Sequence, residues 1–128
     1  VYVRDTGLLH TLLRIPDADA LLSHPQLGAS WEGMVVEEFI RQLGAAGISH
    51  QSSYYRTGGG AEVDLVLEGA FGLVAVEIKH SSTVDSRELQ NLQAFVTSQR
   101  ARLGLVISTD LAPRRYAENI FGLPFTHL

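Results

Sequence analysis

The sequence predicts an α/β domain with a mixed central sheet flanked by helices. Two alternating apolar segments, 62–68 and 73–79, are joined by a turn that contains glycine, which is typical of paired strands. Segments 31–46 and 84–100 have apolar residues at helical spacing, and the apolar run 103–108 is typical of a buried strand. With one more strand candidate at 50–56, the expected order is helix, three strands, helix, strand.

Composition favours a soluble protein of one domain. The chain has 128 residues, of which 45% are hydrophobic and 19% charged, so a packed core is expected. It has no run of eighteen apolar residues and no signal-peptide pattern, so we expect a cytoplasmic protein without a membrane partner. The formal net charge of −4 argues against a broad electrostatic contact with nucleic acid, although a local basic groove stays possible.

The first 29 residues are expected to form a lead-in to the main domain. Val1–Arg4 alternates like a short strand, and leucines at helical spacing precede Pro16, which ends that helix. Asp17 or Asp19 can cap a second short helix through Leu22. We interpret residues 1–29 as the remnant of a link to an upstream domain, and residues 30–128 as the functional domain.

A longer helix is expected from Trp31 to about Ala46, with Ser30 as its N-cap and glycines 44 and 47 ending it. Glu37 and Arg41, four apart, are expected to pair on its solvent side. Glu32 falls near the middle of the apolar face. A buried carboxylate is costly unless it is paired or bound to metal, but a glutamate in a first turn also favours the helix dipole.

The strand candidate His50–Arg56 leads into three consecutive glycines, 58–60. These glycines do not match a phosphate-binding Walker loop, because no lysine and serine or threonine follow them and no helix begins there. Tyr55 and Arg56 could contact a base and a phosphate, whereas sheet packing is the favoured role for both Tyr54 and Tyr55, which are expected on opposite faces of the strand.

The hairpin predicted for residues 62–79 carries the main chemical signal. Side chains two apart share one face of a strand, so six residues can form one apolar face: Val63, Leu65, Leu67, Val74, Val76 and Ile78. Asp64, Glu77 and Lys79 fall on the other side of their strands. Pairing of the strands would therefore bring two carboxylates and one ammonium group together.

These three residue types suit hydrolysis of a phosphodiester. Mg²⁺ is usually held by one or two carboxylates together with water and a substrate phosphate, and Mn²⁺ takes similar ligands. A nearby lysine can orient water or neutralise developing charge. Lys79 is the only lysine beside nine arginines, and the two are not interchangeable where a compact charge is needed. The alternative is that a strand edge carries charges because it is solvated.

The last third is expected to contain a helix from Val84 or Asp85 to Arg100, then the strand Leu103–Ser108. Three polar residues of that helix, Glu88, Gln90 and Gln93, could approach the hairpin residues, but a solvent-exposed polar face is the favoured interpretation. Residues 114–116 are expected to begin an irregular or helical tail, and residues 123–127 a last strand. Arg114 and Arg115, with Arg100 and Arg102, are candidates for a basic patch that contacts nucleic acid, or are simply exposed arginines.

Five stretches of the chain resemble known families. They are Val1-Tyr2-Val3-Arg4-Asp5-Thr6-Gly7-Leu8-Leu9, Trp31-Glu32-Gly33-Met34-Val35, Tyr55-Arg56-Thr57, Glu62-Val63-Asp64 and Glu77-Ile78-Lys79. The last two, after a helix that bears Glu32, resemble the PD-(D/E)XK nucleases. The whole set resembles the C-terminal domain of unknown function of certain bacterial and archaeal AAA-type ATPases.

The resemblance implies a restriction-endonuclease-like αβββαβ core and hydrolysis of phosphodiesters that depends on Mg²⁺ or Mn²⁺. It implies that Asp64 and Glu77 are metal ligands, Lys79 the catalytic lysine and Glu32 the carboxylate on the helix. It also implies an upstream ATPase domain in the full-length polypeptide and no ATPase activity in the present chain.

Two functions are therefore expected from the sequence. One is a nuclease domain that acts on DNA or RNA. The other is an inactive module that binds nucleic acid or protein for the attached ATPase, which the net negative charge favours. The type of nucleic acid and its sequence preference do not follow from the sequence, and a homo-oligomer stays open.

Overall fold

The computed structural model describes residues 3–128, in which helices pack against both faces of a six-stranded mixed sheet. The helices are α1 (Thr6–Leu12), α2 (Ala18–Leu22), α3 (Leu27–Ala45) and α4 (Ser86–Ser98). The strands are β1 (His50–Arg56), β2 (Glu62–Gly69), β3 (Gly72–Ile78), β4 (Leu103–Ser108), β5 (Arg114–Ala117) and β6 (Ile120–Pro124). A short 3₁₀ helix, Phe125–His127, follows. From α3 to β4 the order is helix, three strands, helix, strand, which confirms the predicted fold class.

The strands lie in the order β1-β2-β3-β4-β6-β5. The pairs β1–β2, β2–β3 and β5–β6 are antiparallel, whereas β3–β4 and β4–β6 are parallel. Parallel strands need a crossover connection, and α4 provides it between β3 and β4. The sheet is therefore mixed, and β1 and β5 form its two opposite edges.

The hairpin of β2 and β3 is confirmed. Leu65 lies opposite Val76, and Gly69 lies opposite Gly72 across a turn of two residues. Gly72 has a φ of +95°, a conformation that side chains with a Cβ rarely adopt. A Cβ on Gly69 would lie only 2.8 Å from the carbonyl oxygen of Ser49, so the turn also needs the absence of a side chain there.

The core has two halves, one on each face of the sheet. Val35 and Val36 of α3 pack with Leu65, Leu67, Val76, Ile78 and Ile107. Leu92, Phe95 and Val96 of α4 pack with Val63, Val66, Ala75, Val106 and Ile120 on the other face. Val63 was predicted to share a face with Leu65 and Leu67, and that prediction was wrong.

A β-bulge explains the position of Val63. Ser53 and Tyr55 of β1 lie opposite Val66 and Val63 of β2, so β2 carries one more residue than β1 over this interval. An extra residue shifts the alternation of side chains by one position. Val63 is therefore turned towards α4.

The N-terminal segment differs from the prediction in part. Of the strand expected at residues 1–4, Val1 and Tyr2 lie outside the described residues, and Val3 and Arg4 are not in a strand. The two short helices are confirmed. Asp5 caps α1 and Asp17 caps α2, each by accepting a hydrogen bond of 2.8 Å from a backbone N–H three residues on.

Helix α3 begins at Leu27 and not after Ser30. Ser30 is buried inside the helix, and its hydroxyl lies 2.6 Å from Nε2 of His10 in α1. The partner is twenty residues away, so a pattern of local capping could not reveal it. The predicted end is confirmed in part, because Gly47, with a φ of +68°, follows the C-cap Ala46, whereas Gly44 lies within the helix.

The C-terminal segment contains a strand that the sequence did not predict. Arg114–Ala117 forms β5 by pairing with β6, and not an irregular or helical tail. The last strand is confirmed but spans Ile120–Pro124. Within residues 3–128, every helix is too short or too polar to cross a membrane.

Candidate functional site

The candidate site lies where β2 and β3 separate. Their pairing extends from the turn to Leu65 and Val76, and Asp64 follows at the bulge. The backbone N–H of Ile78 donates a hydrogen bond of 2.7 Å to Oδ2 of Asp64. A carboxylate thus takes the place of the partner strand at this point, which fixes Asp64 beside the end of β3.

A cleft of about 250 Å³ opens at this point. It is lined by Glu32, Tyr54, Tyr55, Arg56, Glu62, Val63, Asp64, Glu77 and Lys79. The four residues predicted as catalytic therefore share one cleft with the predicted Tyr55 and Arg56. The four predicted catalytic residues come from α3, from the N-terminal end of β2 and from the C-terminal end of β3 and the residue after it.

Glu77 is almost completely buried, with only 7% of its surface exposed. Burial, and next the nearby charge of Asp64, raise the pKa of Glu77 from its usual value to about 7, although Lys79 opposes the rise. Burial also raises the pKa of Asp64, against the opposing hydrogen bond from the Ile78 amide and the charge of Lys79. The two carboxylates are thus close enough to repel each other and are poorly solvated.

Lys79 lies immediately after β3, and both its backbone and its side-chain ammonium group have partners. Its backbone N–H donates to the carbonyl of Ile107 in β4 at 2.8 Å. Its Nζ lies 3.1 Å from Oε1 of Glu77 and 3.0 Å from Oε1 of Glu88. Burial acts to lower the pKa of Lys79, but the hydrogen bonds and charges of Glu88 and Glu77 outweigh it and raise the pKa. Lys79 is therefore a charged, positioned donor.

Glu88 contacts the site through Lys79, which was the less favoured of its two interpretations from the sequence. It is the third residue of α4, and its Oε2 accepts a hydrogen bond of 3.2 Å from the backbone N–H of Asp85. Asp85 in turn accepts from the first turn of α4, which completes a capping box. The Asp-x-x-Glu spacing was the signal that could have placed Glu88 at the start of α4, next to the end of β3.

Glu32 reaches the cleft from α3. Its neighbour Trp31 packs against Phe125 and His80, with ring centroids 4.9 and 5.0 Å away, so this part of α3 is fixed over the end of the sheet. Because α3 begins at Leu27, Glu32 lies in its second turn. The helix-dipole interpretation is thereby weakened, since that effect falls off within the first turn.

The other acidic residues of α3 have cationic partners away from the cleft. Glu37 pairs with Arg4 at 2.9 Å, and Glu38 pairs with Arg41 at 2.6 Å. The predicted pair of Glu37 with Arg41 was therefore wrong. Arg4 precedes α1 and is 33 residues from Glu37, so the spacing of residues within α3 does not indicate this partner.

The four residues predicted to contact nucleic acid are divided between two places. Tyr55 and Arg56 line the cleft, where Tyr55 packs edge-on against Phe95 with centroids 4.7 Å apart, and Arg56 pairs with Glu62 at 2.8 Å. Arg114 and Arg115 lie on β5, the opposite edge of the sheet from β1. There Arg114 pairs with Asp110, and Arg115 donates to the carbonyls of Ala117 and Glu118.

The donor set fits a divalent metal ion only with help from a ligand. Asp64 and Glu77 offer carboxylate oxygens, the ligand type that Mg²⁺ and Mn²⁺ accept. Among residues 3–128, no three aspartate, glutamate, histidine or cysteine side chains form a group that could hold a metal ion. Since Mg²⁺ usually combines one or two carboxylates with water and phosphate, this pair is suited to a metal that arrives with a phosphate.

The fold and the cleft define a small α/β domain with an acidic pair and a lysine at the end of a hairpin. Residues 27–128 match the model of a family described as "Domain of unknown function (DUF4143)". The chain belongs to this family.

Two mycobacterial proteins are similar to the chain. They are the uncharacterized protein Rv2008c of Mycobacterium tuberculosis and the uncharacterized protein Mb2031c of Mycobacterium bovis. Each is 46% identical over 107 residues, which is 83% of this chain but only 23% of the relative. The chain thus spans less than a quarter of the length of these relatives.

Proposed function

We propose that this domain is a metal-dependent nuclease of the PD-(D/E)XK type, which hydrolyses phosphodiesters in DNA or RNA. One observation carries the proposal. Asp64, Glu77 and Lys79, predicted from their spacing alone, line one cleft together with Glu32. A structural ion pair needs a lysine and one carboxylate, whereas this cleft is lined by the only lysine of the chain and by four carboxylates, those of Glu32, Glu62, Asp64 and Glu77.

Each of the four residues would have a distinct role in catalysis. Asp64 and Glu77 would hold Mg²⁺ or Mn²⁺, an ion that lowers the pKa of bound water and stabilises charge on phosphoryl oxygens. Asp64 is oriented for this by the Ile78 amide. Lys79, charged and anchored through its backbone to β4, can donate to the attacking water or to a phosphate oxygen. Glu32 lines the same cleft from α3 and would add a third carboxylate beside Asp64 and Glu77.

The second candidate is a module that binds nucleic acid or protein without cleaving. It is favoured by the two ion pairs of Lys79, with Glu77 and Glu88, which occupy the lysine in this state. The formal charge of −4 also favours it. In a nuclease, a bound metal ion would compete with Lys79 for the Glu77 carboxylate and so weaken this ion pair.

We also propose that the domain is cytoplasmic and follows an ATPase domain in a longer polypeptide. The length of the mycobacterial relatives leaves room for further domains. Helices α1 and α2 contain no buried residue, and their Leu8, Leu12 and Leu22 are more than half exposed. Helices that bury no residue and expose leucines are consistent with a contact with another domain.

Cleavage assays with single-stranded and duplex DNA and RNA, in Mg²⁺ or Mn²⁺, test the proposal. The expected result is cleavage that chelation stops, that Lys79→Ala abolishes and that Arg87→Ala leaves intact. Arg87 is a matched control because it is an exposed cation on α4. Cleavage that survives Lys79→Ala would overturn the nuclease proposal. Binding without cleavage in every condition would favour the second candidate.

A further inference from the structure

We infer that Tyr54 is a stacking platform for an unpaired base and that the substrate of the cleft is single-stranded nucleic acid. This inference rests on the proposed function and adds a substrate class to it. It starts from a difference between the two adjacent tyrosines of β1. Tyr55 is packed against Phe95, whereas Tyr54, on the opposite face, is 72% exposed.

The position of Tyr54 links it to the cleft. It lines the cleft that contains Asp64 and Lys79, and it also lines a more open groove along the β1–β2 turn, with Arg56, Thr57 and Gly58. Because Tyr54, Tyr55 and Arg56 line both, the groove continues the cleft. A strand of nucleic acid with one phosphate in the cleft would therefore have its next nucleotide beside Tyr54.

The groove is open where that nucleotide would lie. A Cβ placed on Gly58 would meet no atom within 4 Å, and Gly60 has a φ of +86° that disfavours side chains. Hydrogen bonds between Thr57 and Ala61 close the turn that carries these glycines. An exposed aromatic ring beside a groove with little side-chain bulk gives a flat base room to stack.

The charges argue for stacking over phosphate contacts as the source of affinity. Four arginines are engaged by carboxylates: Arg4, Arg41, Arg56 and Arg114. A protein that grips duplex DNA neutralises many phosphates with free cations, and this chain has a formal charge of −4. Stacking needs no net charge, but it needs a base with a free face, which paired bases inside a duplex lack.

Arg56 supplies the one phosphate contact that the geometry offers in the groove. Its guanidinium pairs with Glu62 at 2.8 Å, and its side chain is mostly exposed. A phosphate of the bound strand can compete with Glu62 for this guanidinium, because an exposed ion pair contributes little. Tyr54 and Arg56 are two apart in β1, which suits a base and its neighbouring phosphate.

Fluorescence anisotropy with labelled oligonucleotides in Mg²⁺ tests the inference. All variants are made in a Lys79→Ala background so that the oligonucleotides stay intact. We compare one sequence as single-stranded DNA, single-stranded RNA and duplex DNA. Tyr54→Ala is expected to weaken binding of the single strands about 5- to 150-fold, the equivalent of about 1–3 kcal/mol for one stacked base.

Two controls accompany Tyr54→Ala. Tyr54→Trp keeps an aromatic face and is expected to bind within about twofold of the parent. Leu111→Ala removes another exposed apolar side chain, 93% exposed, and is expected to change nothing. The salt dependence of single-strand binding is expected to have a slope near −0.7 to −1.4, which corresponds to one or two phosphate contacts.

The outcomes separate this inference from the nuclease proposal. Duplex binding as tight as single-strand binding, or a Tyr54→Ala variant that binds like Leu111→Ala, would overturn the inference. If the parent with Lys79 still cleaves in either case, the nuclease proposal stands without it. If none of the three oligonucleotides binds and the parent does not cleave, both fail and a protein-binding module is favoured. A difference in affinity between single-stranded DNA and single-stranded RNA identifies the type of nucleic acid that the domain prefers.

Discussion

Replacement of Glu77 by glutamine is expected to stabilise the metal-free protein at alkaline pH. Glu77 is buried next to Asp64, and its pKa in the folded state is raised from the usual value of 4.5 to about 7. The folded state therefore binds a proton that the unfolded chain has already released between these two values. Stability due to this group is fully present below the usual pKa and is lost as the pH rises through the folded one.

The magnitude follows from the same two values. Each tenfold difference in proton affinity between folded and unfolded states is worth about 1.4 kcal/mol, so ionising Glu77 destabilises the fold by about 3 kcal/mol at most. Glutamine has nearly the same size and stays uncharged. Lys79 keeps its second partner, Glu88, at 3.0 Å. We expect Glu77→Gln to be more stable than the parent by about 2–3 kcal/mol at about pH 8, and equal to it near pH 4.

Urea unfolding in the presence of a chelator measures this difference. The comparison of variant and parent at each pH cancels the titration of the histidines, which both proteins share. Glu68→Gln is the matched control because Glu68 lies on the same hairpin but is exposed. A Glu77→Gln variant that is less stable than the parent at pH 8, or equal to it, would refute the reasoning about burial and repulsion at this site.

Three further predictions concern the same cleft. Calorimetry with Mn²⁺ is expected to show weak binding, because two carboxylates supply few ligands, and no binding to Asp64→Asn/Glu77→Gln; identical heats for both proteins would show that the pair is no metal site. Glu32→Leu is expected to keep the free energy of unfolding within about 1 kcal/mol of the parent, or to raise it, while cleavage is lost; unchanged cleavage would remove Glu32 from the mechanism. ATP hydrolysis is expected to stay at background, since Lys79 is the only lysine and no phosphate-binding loop follows a strand; turnover of ATP by the purified chain would contradict the assignment.

The hairpin and its carboxylates were predictable because their signals are local. Asp64 and Glu77 are 13 positions apart, and alternation within each strand and the glycines of the turn suffice to bring them together. Helix α4 was predictable for a similar reason, since Leu92, Phe95 and Val96 form a stripe at helical spacing. In each case the information lies within one or two adjacent elements.

The features that escaped prediction depend on partners far away in the sequence. Helix α3 begins before Ser30, whose hydroxyl does not cap the helix but lies 2.6 Å from Nε2 of His10 in α1. The extra residue in β2 appears only in its register with β1, and it turns Val63 to the face opposite Leu65. Strand β5 exists through its pairing with β6, and its sequence, rich in arginine, has no apolar alternation. Patterns within a segment do not contain such information.

The hydrogen bond from the Lys79 backbone to Ile107 bears on how the site forms during folding. The acidic pair belongs to a hairpin whose contacts are close in sequence, and such contacts form early because little chain entropy is lost. Ile107 is 28 residues beyond Lys79, on a parallel strand reached only through α4. On a ribosome, Asp64 and Glu77 could thus be in place before β4 has been synthesised, while the lysine is still unanchored. Positioning of Lys79 would therefore follow that of the two carboxylates, because it requires β4.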